Sequence, residues 1–246
     1  MSVSVTSDAG GCISLYDILF RFSYTFTGGK TYALIGSPGS GNCALTYILY
    51  GKQPLRTDCD GGQILINGQI ADNAMLKKNV CYVGQRTIGE PDRKSLLKRF
   101  IKDHTKRWTI AELINIGLEK TQSKYSLKDI AEIFHLSGYD NKNGRIYRTI
   151  EFTSGEKHLA SLAVGYACGK RIFAYPMLTD NFFHYVEFAA ESGIFDFLKR
   201  EGAIILVPAV YVEQTAEIVD ETVCMNKIKQ KAIEAELKRI SAINVE

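Results

Sequence analysis

A glycine-rich turn near the N-terminus places the strongest constraint on what this chain can fold into. The apolar segment "KTYALIG" (30–36) is typical of a buried strand, and residues 41–49 predict a helix directly after it. The turn that joins them contains Gly36, Gly39 and Gly41. A buried strand that passes through a tight glycine turn into a helix predicts a layered α/β core.

The turn also has the spacing of a phosphate-binding loop, G-x-x-x-x-G-K-[ST], up to its last two positions. Asn42 stands in place of the lysine that reaches the terminal phosphates, and Cys43 in place of the hydroxyl that binds Mg²⁺. The glycines still allow backbone N–H groups to point into the turn, which predicts an anion-binding loop at the N-terminus of the helix. The sequence therefore predicts weak ATP or ADP binding, no required cofactor and no Mg²⁺ at this site. The predicted nucleotide-binding residues are Gly36, Ser37, Gly39, Ser40, Gly41, Asn42 and Cys43.

Composition excludes several classes of function. The net charge of +3 and the lack of a basic stripe with aromatic residues argue against nucleic acid as a partner. Six scattered cysteines without a CxxC pair predict neither a zinc site nor a disulfide framework. The longest apolar run, "AIILVPAVYV", is about half as long as a membrane span. We expect a cytoplasmic protein that does not enter the membrane by itself.

Residue periodicity divides the chain into an α/β part and a helical part. Helical spacing is clearest in "TIAELINIGLEK" (109–120) and "SLKDIAEIFHL" (126–136), and the tail 227–243 predicts an amphipathic helix. The basic stretch 93–107 fits a solvated helix face or, alternatively, a docking face. Strand-like patterns occur at residues 20–26, 30–36, 61–68, 78–85, 171–176, 203–210 and 220–226.

Four segments, taken in order, resemble the nucleotide-binding subunit of ABC transporters. They are "YTFTGGKTYALIGSPGSGNCALTYILYG", "GGQILINGQ" with "NVCYVGQ", "FTSGEKHLASLAVGYACGKRIFAYP" and "EGAIILVPAV". The resemblance places the Q-loop glutamine at Gln85 and the signature motif at Thr153, Ser154, Gly155 and Glu156.

The fold that this resemblance implies is a single domain over residues 1–246. We expect a P-loop NTPase-like α/β core with a mixed or parallel sheet and an N-terminal antiparallel β subdomain, from about 1–85 and 170–246. A helical subdomain with the signature region is inserted at about 86–169.

The departures from the family pattern concern the charged groups. The family closes its Walker B strand with an aspartate and a glutamate before a proline, and matching that proline to Pro176 puts Ala174 and Tyr175 at these positions. No acidic residue occurs between Glu156 and Asp180. The chain therefore lacks the metal-binding aspartate and the glutamate that polarises the attacking water.

The switch histidine is also replaced. Matching "ILVPAV" to the end of the last core strand gives Ala209, and no histidine follows His184. With the lysine, the hydroxyl, the carboxylates and the histidine all missing, we predict no catalytic residue and no hydrolysis at the chain's own site.

These substitutions favour a degenerate, non-hydrolysing nucleotide-binding subunit of an ABC-type transport complex. We expect it to pair with a competent ABC ATPase subunit and to dock on a transmembrane permease, peripherally on the cytoplasmic face of the membrane. Two alternatives stay open. The chain could be an ATPase that draws its missing groups from elsewhere, such as Asp180, or a soluble regulator without a transporter.

Other residues allow two interpretations each. The segment 153–156 either contributes to a partner's ATP site or simply caps a helix. For Gln85 a structural role is favoured over metal sensing, because no metal is expected. Tyr16 and Tyr24 are candidates for stacking on adenine, but either is equally well explained as a packed strand residue.

Overall fold

The structure is a computed structural model. For residues 7, 12–14, 17, 18 and 180–182, it describes the backbone but not the side chains. The described residues are 1–7, 12–14, 17–19, 22–37, 39–50, 62–84, 108–141, 143–150, 156–177 and 180–225.

The chain forms two compact units. The first comprises residues 1–80 and 171–246, and the second comprises residues 81–170. The strands are β1 Ser2–Ser7, β2 Cys12–Ser14, β3 Asp17–Leu19, β4 Phe22–Thr27, β5 Lys30–Ile35, β6 Gln63–Ile66, β7 Gln69–Ile70, β8 Val80–Tyr82, β9 Ile172–Ala174, β10 Ile204–Ala209 and β11 Glu221–Cys224. The helices are α1 Asn42–Leu49, α2 Asn73–Asn79, α3 Ile110–Thr121, α4 Leu127–Ile133, α5 Lys157–Ala167, α6 Asp180–Glu191 and α7 Ile194–Arg200.

An antiparallel sheet forms part of the first unit, with strand order β4-β1-β6-β7. Its central strand β1 pairs with β4 on one side and with β6 on the other. Val3 and Val5 are buried while the alternating residues Ser2, Ser4 and Thr6 are half-buried, which is the two-residue period of a strand with one covered face. Phe22 and Phe26 bury the corresponding face of β4.

A second, largely parallel sheet has the strand order β11-β5-β10-β9-β8. The first unit ends at Val80, the first residue of the outer strand β8. Strand β5 lies between β10 and β11, and both pairings are parallel. Every residue of β10 is buried, as is usual for a strand covered on both faces. The parallel register brings the carboxyl ends of β5 and β10 to the same edge of the sheet, with Ile35 opposite Ala209.

Pro208 fits inside this central strand because of where its neighbour stops. The carbonyl of Leu206 accepts a hydrogen bond from the N–H of Tyr175, so the even-numbered residues of β10 face β9. The pairing with β9 ends at Leu206. An N–H group at residue 208 would therefore point past the end of β9, where the sheet has no hydrogen bond to make. Proline, which lacks this N–H, is tolerated there for that reason.

Helices cover the parallel sheet within the first unit. Helix α1 packs against β10 and β9, and α7 packs against β5 and β10. Ile194, Phe195, Phe197 and Leu198 are the buried residues of α7. Helix α2 buries only Leu76 and is capped by Asp72, whose carboxylate accepts the N–H of Met75.

Apart from the last two residues of β8, the regular structure of the second unit is helical in its described part. Helices α3 and α4 each begin with a capping box, formed by Thr109 with Glu112 and by Ser126 with Asp129. Helix α3 approaches α5 so closely that a Cβ added at Gly117 would lie 2.7 Å from the backbone carbon of Ala167. A glycine is required at that contact because any side chain would force the two helices apart.

The predicted fold class is confirmed: an antiparallel sheet accompanies a parallel α/β core. The strand predicted over 78–85 is shorter, because Lys78 and Asn79 end helix α2 and the strand covers Val80–Tyr82. The helices predicted over 93–107 and 227–243 lie outside the described residues.

Candidate functional site

The loop between β5 and α1 is shaped by two glycines with left-handed backbone. Gly39 has φ of 88° and Gly41, which caps α1, has φ of 98°. Residues with a Cβ adopt these angles only with strain, so the glycines allow the turn from strand to helix. The N–H of Leu45 donates to the carbonyl of Gly41, and so α1 begins as the sequence predicts.

The side chain of Asn42, at the position predicted for the lysine, lies inside the protein. It is fully buried, and its carboxamide bonds with backbone groups only. Its Nδ2 donates to the carbonyl oxygens of Gly36 at 3.0 Å and Ala209 at 3.3 Å, with a longer contact of 3.5 Å to that of Leu34. Its Oδ1 accepts the N–H of Cys43 at 2.9 Å. The side chain therefore joins the ends of β5 and β10 and engages a donor of the first turn of α1.

Ser40 turns its side chain into the same loop. It is 6% exposed, and its Oγ has no hydrogen-bond partner among the described residues. A Cβ added at Gly36 would lie 2.0 Å from that oxygen, so the hydroxyl lies against the bare Cα of Gly36. The N–H of Ser40 donates to the carbonyl of Ser37 at 3.0 Å. Gly36 is required because Ser40 occupies the space of any side chain there.

The two residues that the resemblance places at the Walker B positions belong to the core. Ala174 is the last residue of β9, and Tyr175 follows it with its N–H on the carbonyl of Leu206 at 2.9 Å. Both residues are fully buried. The ring of Tyr175 packs edge-on against Phe195 of α7, with 6.1 Å between the centroids. Where the resemblance expects a carboxylate in contact with water and metal, the chain has an aromatic ring inside its core.

The switch position, Ala209, contributes backbone rather than a side chain. It ends β10 and is 3% exposed. Its carbonyl oxygen accepts the N–H of Gly36 at 3.1 Å in addition to the amide of Asn42. This carbonyl is therefore a structural acceptor at the base of the loop.

These groups do not suit Mg²⁺. Magnesium prefers hard oxygen ligands in an octahedral arrangement, whereas Cys43 offers a thiol and Ala174 a methyl group. Asp180, the open alternative, begins α6 six residues beyond the end of β9, and its side chain lies outside the described residues. In the described part of the chain, no cluster of three or more metal-binding side chains occurs.

Charge is found at the opposite, amino-terminal end of the same sheet. Lys30 begins β5 and forms an ion pair with Glu221, which also accepts the hydroxyl of Tyr24 at 2.9 Å. Burial and this hydrogen bond raise the pKa of Tyr24 to about 12. The bonds from Lys30 and Tyr24 lower the pKa of the Glu221 carboxyl. Tyr24 is thus engaged with Glu221, which favours its interpretation as a packed strand residue.

A second charged group lies beside the first at this end. Asp220 accepts the N–H of Thr31 at 2.7 Å and pairs with Lys199 at 3.4 Å. Lys30 stands five residues before Ile35, which corresponds to about 16 Å along an extended strand. It is therefore too far from the loop to replace the missing lysine.

Of the signature motif, the described residues include Glu156 only. Its Oε1 accepts the hydroxyl of Ser137 at 2.7 Å and the guanidinium of Arg145 at 3.4 Å. Helix α5 begins at the next residue. Thr153, Ser154 and Gly155 lie outside the described residues, so their predicted roles as a cap or in a partner's site remain predictions.

The Q-loop is described up to the residue before its glutamine. Gly84 has φ of 78°, and a Cβ added there would lie 2.9 Å from the ring of His158 on α5. The glycine therefore lets the chain pass beside that ring. Gln85 itself lies outside the described residues, and its predicted structural role remains a prediction.

Comparison with known proteins identifies the family. The family model for ABC transporters matches residues 19–175, which is more than half of the chain. The chain belongs to the ABC transporter family. The match includes the loop of Gly36 to Cys43 and ends at Tyr175.

Individual relatives agree with this assignment. The energy-coupling factor transporter ATP-binding protein EcfA1 of Thermotoga maritima is 28% identical over 172 residues, which are 66% of this chain and 59% of that protein. A solved ATP-binding subunit of an ABC transporter superposes with a TM-score of 0.58 at 16% identity, over 91% of this chain and 85% of the other. A Pyrococcus furiosus structure described as an ABC transporter ATP-binding protein gives a TM-score of 0.57 at 15% identity, over 92% and 98%.

The structural matches establish the fold of this ABC family member. In its described part, no helix combines the length and the apolarity that a membrane crossing needs.

Three contacts at the predicted site residues were missed by sequence reasoning. Ser137 and Arg145 hold the carboxylate of Glu156 from a turn-rich segment whose sequence, "SGYDNKNGR", has no feature that points to it. The bonds of Asn42 to Ala209 join residues 167 positions apart. Matching "ILVPAV" to the end of a core strand places Ala209 near the loop, but it cannot reveal that the asparagine turns inward.

Proposed function

We propose that this chain is a non-hydrolysing nucleotide-binding subunit of an ABC-type membrane transport complex. One observation carries the proposal: the positions for the charged groups are filled by buried, uncharged residues that pack or bond within the protein. These residues are Asn42, Ala174, Tyr175 and Ala209. Their environments offer no room or solvent for the groups they replace.

Hydrolysis of ATP needs a cation at the phosphates, bound Mg²⁺ and a group that orients the attacking water. The chain supplies none of these at the described positions. What remains is a backbone loop with a helix N-terminus, which attracts anions without cutting them. Weak binding of ATP or ADP, little affected by Mg²⁺, is the activity that this loop supports.

Two copies of this chain would leave no competent site. The proposed assembly therefore contains a different, competent ABC ATPase subunit and a transmembrane permease, with this chain peripheral on the cytoplasmic face of the membrane. Its relatives by name include a transporter ATP-binding protein. In this assembly residues 153–156 would complete the ATP site of the partner, and this role is part of the proposal.

The first test measures hydrolysis by the purified chain. We expect ATP turnover with Mg²⁺ at the level of the buffer alone, in wild type and in Asp180→Ala alike. Turnover at rates usual for an ATPase, roughly 1 per second or more, would contradict the proposal. If that turnover were lost in Asp180→Ala, the chain would be an ATPase with relocated catalytic groups.

The second test identifies the partners. We expect affinity purification of the tagged chain from detergent-solubilised membranes, followed by mass spectrometry, to yield a permease and an ATPase subunit with complete Walker motifs. The matched control is the same tagged chain purified from the soluble fraction of the same cells. Recovery of the chain without either partner from both fractions would favour the soluble regulator instead.

A further inference from the structure

The carboxamide of Asn42 occupies the bonding positions that a bound phosphate would use. In a helix the first N–H groups have no partner within the helix, and in a phosphate loop they point at the ligand. One of these donors, the N–H of Cys43, is taken by Oδ1 of Asn42 at 2.9 Å. A carboxamide oxygen and a phosphate oxygen are both acceptors, so the two compete for this donor.

The other half of the same carboxamide closes the base of the loop. Its Nδ2 donates to the carbonyls of Gly36 and Ala209, which lie at the ends of two neighbouring strands. Both carbonyls belong to residues that are buried, and a buried acceptor without a donor is costly. The asparagine is therefore held in place from both ends, and moving it would break all of these bonds together.

Ser40 also turns its side chain into the loop. Its N–H donates to the carbonyl of Ser37, and its hydroxyl lies over Gly36 inside the loop without a hydrogen-bond partner among the described residues. The interior of the loop is therefore filled in part by the chain's own side chains.

We propose that Asn42 is an internal ligand of the phosphate loop: it holds the loop ordered without nucleotide and competes with phosphate for the Cys43 amide. The inference rests on the proposed function and adds a regulatory contact to it. The weak nucleotide affinity then has two sources, the missing lysine and the presence of a competing carboxamide. Only the second can be removed by shortening the side chain.

Truncation of the side chain separates these two sources. In Asn42→Ala the carboxamide oxygen no longer competes for the Cys43 amide, and we expect ADP to bind about tenfold more tightly than to wild type, since a backbone N–H gives a charge-assisted bond to phosphate. The probe is ADP in the presence of EDTA, followed by isothermal titration calorimetry. Unchanged or weaker binding would overturn the proposal, because it would mean that Asn42 helps to hold the nucleotide or has no influence on it.

Thr46→Ala is the matched control. Thr46 is buried in the same helix and donates its hydroxyl to the carbonyl of Cys43 at 3.0 Å, so its loss also removes one buried bond from the first turns of α1. It leaves the N–H of Cys43 engaged. We expect the affinity for ADP to stay within about twofold of wild type. An equal gain in both variants would mean that loosening of the helix is the cause and would overturn the proposal.

A measurement on the wild-type chain covers the case in which Asn42→Ala fails to fold. With the internal ligand in place, the amide of Cys43 is protected from hydrogen exchange in the absence of nucleotide by at least about 100-fold, as is usual for an engaged amide. Exchange at the rate of an open loop would overturn the proposal. These experiments involve neither hydrolysis nor partner subunits, so their failure is distinguishable from that of the proposed function.

Discussion

The two ends of the parallel sheet differ in whether they carry charged side chains. At the carboxyl end, Asn42, Ala174, Tyr175 and Ala209 are at most 3% exposed, and none is charged. At the amino end of the same strands, Lys30 and Glu221 form an ion pair. Asp220 and Lys199 form a second pair beside it, and the side chains of all four charged residues remain partly exposed.

This contrast teaches that the absence of charge is local. The sheet carries ion pairs where solvent reaches them, so neither the composition nor the fold excludes charged residues from its edges. Burial makes an unpaired charge costly, while an exposed pair costs and contributes little. The carboxyl end is therefore part of the core, and the amino end is ordinary surface.

The largest expected effect comes from restoring a carboxylate to the core. In Tyr175→Glu the protein loses a buried ring against Phe195 and gains a buried charge. We expect the free energy of unfolding to fall by at least about 4 kcal/mol, measured by urea denaturation. Tyr175→Phe keeps the ring and should cost less than about 1.5 kcal/mol. A stable Tyr175→Glu variant would mean that this end is not core, and the comparison would fail.

A smaller effect is expected at the loop. Asn42→Asp keeps the shape but loses the donor to the carbonyls of Gly36 and Ala209, and we expect a loss of about 3 kcal/mol at pH 8. Burial raises the pKa of the new carboxyl in the folded state above about 4, its unfolded value. The unfolded state therefore ionises first as the pH rises, and stability falls above pH 4 until the folded pKa is passed. Urea denaturation at pH 4.5 and pH 8, with wild type as control, checks this. A loss that does not depend on pH would show that residue 42 is open to solvent.

The smallest effect is expected at the amino end. The lowered pKa of Glu221 means that its contribution to stability is present above the usual glutamate pKa and is lost as the pH falls through the lowered value. Glu221→Gln should therefore flatten the acid side of the stability curve, because it removes at pH 7 a contribution that is already absent in acid. The loss at pH 7 is small, since the side chains of this ion pair are partly exposed. It should also lower the pKa of Tyr24 from about 12, though not to its ordinary value, because burial is the larger cause. The difference in tyrosinate absorbance at 295 nm between each protein and the same protein with Tyr24→Phe isolates that pKa among the 13 tyrosines, and an unchanged value would mean that the Tyr24–Glu221 bond does not form.

Local patterns were sufficient to predict much of the fold. The buried strand β5, the glycine turn and α1 were predictable because apolar residues and glycines occur at the positions that such a connection requires. Helices α3 and α4 were predictable because their apolar residues repeat at helical spacing behind Thr109 and Ser126. Helix α2 was missed because it buries only Leu76, and a helix with one buried residue has no periodicity to detect.

For the candidate site, the sequence predicts residue identities but not conformation. By the resemblance, neutral residues stand at the lysine, Walker B and switch positions, and this assignment stays a prediction. It does not tell whether those residues face solvent, since this depends on contacts between distant segments. Tyr175 meets Phe195 only because α7 packs on the sheet, and Asn42 turns inward only because the end of β10 lies beside it.

The contact between Tyr175 and Phe195 has a consequence for anyone who would engineer this position. A carboxylate introduced at residue 175 alone would place an ionised group against the ring of Phe195, in a part of the core that solvent does not reach. A functional carboxylate at this position would therefore require a matching change in α7, the helix that carries Phe195.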